Sequence, residues 1–155
     1  MGGSELLKTI FGVKSGKPPR LDLKEAAALV DVLQKLAEKS FLKSAHDCAE
    51  GGLAVTLAES CISEKGRETG AAVEAPLEAL SKEAFLFGES QNRVVISVDP
   101  KNVNSAEAVI QSHAYPYRVI GKVGGKELSI NDLVRVPVEV LSHTWRNSIR
   151  RRMDV

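Results

Sequence analysis

The chain is short of several things, and each shortage removes a class of explanation. It has only two cysteines, Cys48 and Cys61, far apart and without a C-x-x-C pair. A disulfide framework and a cysteine zinc site both need more than that, so the thiols read as reduced and buried. Its net charge is only +1, which gives no electrostatic case for nucleic acid or a membrane surface. No apolar run approaches the ~20 residues of a membrane span. No basic stretch followed by an apolar block opens the sequence, so no secretory signal is expected, and a cytoplasmic location is. The three histidines, His46, His113 and His143, are too few and too scattered for a zinc site. Internal repeats and low-complexity segments are absent too.

What remains is an ordinary soluble composition, 43% hydrophobic and 26% charged over 155 residues, enough for one domain with a real core. Residues 1–20 read as a tether: a short helix from Ser4 to Phe11, then a loop through Gly12, Gly16 and Pro18-Pro19. Residues 21–155 read as the domain. Asp22 with Glu25 three positions on is a capping-box pattern, and the spacing of Ala26, Leu29, Val30, Leu33 and Leu36 predicts a helix over 23–38. A second helix runs from Leu53 to about Ser63. A polar turn at 65–70 leads to a short strand, 71–75, ended by Pro76. Ser81 caps a short helix to Phe87. Val94–Val98, apolar on both faces, predicts a central strand. A helix over 103–112 turns Ala106, Val109 and Ile110 inward. Residues 117–123 and 126–130 read as an antiparallel hairpin around Gly124-Gly125. Pro137 opens a final helix whose inner stripe is Val138, Leu141, Trp145 and Ile149. The fold class is α+β, a layered domain with helices packed on a mixed, mostly antiparallel sheet.

The densest chemistry lies in Ser44-Ala45-His46-Asp47-Cys48-Ala49-Glu50-Gly51-Gly52-Leu53. Two glycines before an apolar helical pattern make a turn that bares N–H groups, with the positive end of a helix dipole behind them. Gly51 and Gly52 would then receive a phosphate. Asp47 would hold magnesium or a ribose, and His46 would donate to phosphate or to the backbone. The same residues also read as a plain helix start, with Glu50 favouring the dipole, His46 a structural histidine and Asp47 a turn acceptor. Adjacent strand positions point to opposite faces, so His46 and Asp47 are not a catalytic dyad with each other. Glu89, Ser90 and Gln91 can present a carboxylate, a hydroxyl and an amide to a substrate, and Arg93 can pair with phosphate or a carboxylate. The alternative is helix-end capping and a surface ion pair. Arg146, Arg150, Arg151 and Arg152 read as cations favouring a helix C-terminus, with a phosphate or subunit contact as the other reading.

Ser-Ala-His-Asp-x-x-Glu-Gly-Gly-Leu over 44–53 resembles the signature of the C-terminal domain of the AIR synthase superfamily of ATP-using enzymes. Gly88-Glu89-Ser90-Gln91-Asn92-Arg93 resembles the Glu-Ser-Gln-x-Arg segment of its formylglycinamidine ribonucleotide synthase branch. The opening Gly2-Gly3-Ser4-Glu5-Leu6-Leu7-Lys8 is similar to that branch's linker, and Trp145–Met153 to its tail. The resemblance covers almost the whole chain, in order. It implies a C-terminal domain fragment of a synthase of purine biosynthesis that uses ATP and Mg²⁺ to activate an amide, which glutamine-derived ammonia then attacks. It implies nucleotide or phosphate contact at His46, Asp47, Gly51 and Gly52, and substrate-like contact at Glu89, Ser90, Gln91 and Arg93. It assigns no catalytic residue here, because the family's catalytic histidine and most metal ligands lie in earlier domains. The implied partners are those domains, a separate glutaminase subunit and a small accessory subunit. The family pattern has a serine where this chain has Ala49, which removes a hydroxyl from the turn. The alternatives are an assembly module without a ligand, or the same domain of another superfamily member such as selenophosphate synthetase.

Overall fold

The computed structural model describes residues 2–77 and 79–153. The chain divides into two compact units. One comprises residues up to Thr56 together with Glu83–Val119, and the other Leu57–Lys82 together with the residues from Ile120 on.

The first unit opens with helix α1 (Glu5–Phe11), closed by Gly12 in the left-handed region. Helix α2 (Leu23–Glu38) starts at Asp22, whose Oδ1 accepts from the Lys24 and Glu25 amides at 2.9 and 3.2 Å. That satisfies two of the donors every helix start leaves bare. Strand β1 (Leu42–Asp47) pairs antiparallel with β3 (Val94–Val98), His46 lying opposite Val95 and Asp47 opposite Val94. Between them in sequence come α3 (Gly52–Ile62), β2 (Ala71–Val73) and α4 (Lys82–Phe87). A 3₁₀ turn, Pro100–Asn102, leads from β3 into α5 (Val103–Ser112). Val32 and Leu36 of α2 meet Ala106 and Ile110 of α5, with Phe41, Leu42, Ile96 and Val98 packed against them. Each fully buried aliphatic side chain contributes roughly 1.5–3 kcal/mol, so this cluster holds the unit.

The second unit is built on a four-stranded sheet in the order β4 (Gly121–Val123), β2, β5 (Glu127–Ile130), β6 (Val134–Pro137). β2 runs parallel to β5, and the other two pairings are antiparallel. Ala71, Val73, Leu128 and Ile130 are buried from one face. Register places Lys122, Ala72, Ser129 and Arg135 side by side on the other. Helices α6 (Val138–Arg146) and α7 (Arg150–Met153) follow β6. No helix among the described residues is long and apolar enough to cross a membrane.

Helices over a mixed, mostly antiparallel set of strands is the α+β arrangement the sequence predicts. Four local expectations fail. β4 and β5 are not a hairpin, because β2 lies between them. Gly124 donates to the Gly70 carbonyl at 2.8 Å and Gly70 to the Gly125 carbonyl at 2.9 Å, so the glycine turn closes around the entry to β2 instead of joining its own flanks. A Cβ on Gly70 would run into the Glu127 carbonyl oxygen, which fixes glycine there. β3 is not central: among the described residues its one partner is β1. A β-branched apolar run records burial of faces, not the number of ladder neighbours. In α2 the buried stripe runs through Val32 and Leu36, and Val30 is exposed. The final helix breaks near Asn147, and of its expected stripe only Val138 is buried, with Trp145 and Ile149 exposed.

Candidate functional site

β1 ends at Asp47, the chain turns through Gly51 and Gly52, and α3 begins. Both glycines have left-handed φ, +77° and +66°, a region side chains with a Cβ avoid. A Cβ on Gly52 would lie 2.7 Å from the Phe87 carbonyl carbon and 2.9 Å from the Leu86 and Gly88 carbonyl oxygens. One on Gly51 would strike the Val55 side chain. The turn is therefore pressed against the end of α4, and both glycines are buried.

The segment after α4 supplies the turn's partner. Glu89 Oε1 accepts from the Gly51 amide at 2.9 Å and from the Glu5 amide at the start of α1, also at 2.9 Å. The anion at the glycine turn is thus a carboxylate of the chain itself. Arg93 turns inward: its Nη1 donates to the Gly88 carbonyl at 3.3 Å, and its own carbonyl accepts from the Cys48 amide at 2.9 Å. Asn92 has φ +60° and its Nδ2 donates to the Asp22 carbonyl at 3.3 Å. Tyr115 Oη donates to the Asn92 carbonyl at 3.0 Å. Ser90 and Gln91 are exposed.

His46 and Asp47 meet despite the alternation of a strand, because Asp47 is the last strand residue and the pleat ends there. His46 Nδ1 lies 2.9 Å from the Asp47 carbonyl oxygen, which makes Nδ1 the protonated nitrogen in that bond, and 3.6 Å from its carboxylate. The Thr56 hydroxyl donates to the same carbonyl at 2.7 Å. Burial pushes the Cys48 thiol up, opposed by its hydrogen bond with Thr56. Cys61 is pushed up by burial alone, and both thiols are free.

All eight candidate site residues belong to one unit, and two contacts join members of the set, Glu89 to Gly51 and His46 to Asp47, while Arg93 bonds to Gly88 and Cys48 outside it. Sequence reading misses the supports Thr56, Asn92 and Tyr115. Only an asparagine after Glu-Ser-Gln, a residue tolerant of left-handed φ, gives a hint of one. Among the described residues no three His, Cys, Asp or Glu side chains group to hold a metal ion. Arg146 is held by the chain itself. Its Nη2 donates to the Ile62 carbonyl at 2.9 Å, its Nε to Ser142 Oγ at 3.1 Å, and Glu68 lies 3.6 Å away.

Comparison with known proteins adds three findings. The model of the family described as "AIR synthase related protein, C-terminal domain" matches residues 1–132. The phosphoribosylformylglycinamidine synthase subunit PurL of Caldanaerobacter subterraneus subsp. tengcongensis is 35% identical over 158 aligned residues, 99% of this chain and 21% of that protein. The PurL subunit of Anaeromyxobacter sp. strain K is 38% identical over 156, 96% of this chain and 20% of its own length. Among solved structures, PurLQS from Thermotoga maritima superposes with a TM-score of 0.65 at 23% identity, covering 91% of this chain and 25% of that one. T. maritima PurL complexed with ATP gives 0.62 at 20% identity, covering 74% and 21%. At these identities the structures speak for the fold. The chain spans about a fifth of the length of the relatives it matches.

Proposed function

The chain belongs to the AIR synthase related protein C-terminal domain family, and from that premise we propose that it is the closing domain of a formylglycinamidine ribonucleotide synthase. The observation that carries this reading is identity of 35–38% over 96–99% of the chain to subunits of that enzyme. The Glu89–Arg93 segment, seated on the signature turn, supports it. In this reading residues 1–20 lead in from a preceding domain and residues 21–155 form the domain proper. The whole enzyme joins ammonia to formylglycinamide ribonucleotide at the expense of ATP, in the cytoplasm. Its partners are the preceding domains, a glutaminase subunit and a small accessory subunit.

The role of this chain is to shape and seal, not to react. Asp47 is a single exposed carboxylate, short of a magnesium shell, so the donor set does not fit a Mg²⁺ site of its own. The Gly51 amide is already taken by Glu89. Ligand contact from this domain therefore falls to the exposed Asp47, Ser90 and Gln91 and the half-buried His46. Gly51, Gly52, Glu89 and Arg93 hold them in place. That occupancy also favours the second reading, an assembly module without a ligand of its own.

The test is a chimera. Replacing the C-terminal fifth of the Caldanaerobacter subunit with this chain is expected to keep ammonia-dependent formation of formylglycinamidine ribonucleotide. A folded chimera without activity would overturn the assignment. Activity that survives alanine at Asp47, Ser90 and Gln91 together would leave the assembly reading in place.

A further inference from the structure

Residues 2–17 close on themselves. The Gly3 amide donates to the Ser15 carbonyl at 3.0 Å and the Val13 amide to the Leu7 carbonyl at 2.9 Å. A Cβ on Gly16 would lie 2.6 Å from Gly2 Cα, so the chain crosses itself there. Within this loop α1 buries none of its residues, and Ile10 and Phe11 are 68% and 62% exposed. The Glu5 and Lys8 side chains pair with each other at 2.9 Å. Ser4, at the N-cap position, is buried, yet its Oγ has no hydrogen-bond partner among the described residues. A serine at that position ordinarily accepts from the helix's own amides. A buried hydroxyl without a partner favours any state that returns it to water. The docking of α1 therefore has little apolar burial behind it and one polar group working against it. Elements of that kind open at the low end of a protein's range of local stabilities.

Glu89 connects that docking to the signature turn. Its Oε1 accepts from the Glu5 amide and from the Gly51 amide, each at 2.9 Å. One oxygen is thus held between two helix starts, those of α1 and α3. Lifting α1 removes one of its two donors and leaves the carboxylate free to turn toward water. The bond to Gly51 then weakens, because a charge-assisted bond keeps its strength only while its geometry is held. Gly51 is buried with a left-handed φ, so its amide reports any loosening of the turn.

We propose that α1 is a strap poised between a docked and a lifted state, and that Glu89 transmits the change to the turn at 47–52. Docked, the strap keeps the Gly51 amide closed. Lifted, it lets that amide open. Where residues 1–20 lead in from a preceding domain, a shift of that domain reaches the turn by this route. That use of the strap rests on the reading proposed above, whereas the strap itself does not.

Amide hydrogen exchange in the ¹⁵N-labelled full chain tests it. Thr9→Pro breaks α1 at an exposed interior position. Gly51 is expected to exchange about tenfold faster in this variant, with the amides of α2 and α5 unchanged. Those unchanged amides also show that the variant is folded. Glu89→Ala should speed Gly51 by itself, and adding Thr9→Pro to it should change nothing further at Gly51. Glu89→Gln keeps an acceptor, so in that background Thr9→Pro should again be felt at Gly51. Unchanged Gly51 exchange in Thr9→Pro, or the same acceleration with and without an acceptor at position 89, would overturn the proposal. So would acceleration spread over α2 and α5, which would make α1 part of the cooperative core. None of these outcomes depends on the activity of the chimera, so the strap and the assignment fail separately.

Discussion

Glu89 is the residue on which the site turns, because one carboxylate oxygen serves the Gly51 and Glu5 amides together. Glu89→Ala leaves both donors without a partner and should cost about 1–3 kcal/mol. Glu89→Gln keeps an acceptor and should cost less. Urea unfolding of the two variants checks this, and equal stability of all three proteins would dismiss the bridge. Gly52 is constrained twice, by φ and by the backbone of α4. Gly52→Ala should destabilise by about 2–4 kcal/mol, measured the same way, with no compensating route through a flexible neighbour. The thiols give a chemical check. Burial raises Cys48 and Cys61, so both stay protonated at neutral pH. A thiol reagent should label them slowly in the native chain and fast in urea, whereas fast native labelling would mean an open turn.

At the scale of elements, the end of α6 is fastened by charge. Arg146 reaches the last carbonyl of α3, and Glu68 receives Ser142 Oγ at 3.3 Å. The Glu68 carboxyl is held below its usual 4.5 by the hydrogen bond from its own backbone amide first, and also by the Gly66 amide, Ser142 and Arg146. A depressed carboxylate contributes stability above its unfolded pKa and loses it as pH falls through the folded one. Glu68→Gln should therefore flatten the fall in stability below about pH 4.5 and matter little beneath the folded value. Urea midpoints across pH 3–7 for the two proteins test it. The element boundaries themselves were largely legible in the sequence. Asp22 announced α2, the periodicity of 103–112 announced α5, and the β-branched run announced β3. What failed was pairing. Gly124-Gly125 carries the local signal of a hairpin, but Gly70 is close enough to take both turn bonds, and no neighbour in sequence reports that.

For the whole molecule, the elements and the buried cluster of α2 and α5 predict that the chain folds without its relatives' other domains. Circular dichroism should show a cooperative thermal transition, and a broad featureless melt would mean that the core needs a partner.

The sequence by itself determined the family and the class. Those rest on local facts: glycines where φ is positive, caps at helix starts, apolar spacing, and the two signature stretches. Only the tertiary structure decided which strands pair and which stripe of each helix is covered. It alone placed the Glu89 carboxylate at the Gly51 amide, where the glycine turn on its own reads as open to a phosphate. Glu89 lies far along the chain from that turn. Hydrogen bonds between distant segments depend on how the intervening elements pack, and spacing along the chain does not carry that information.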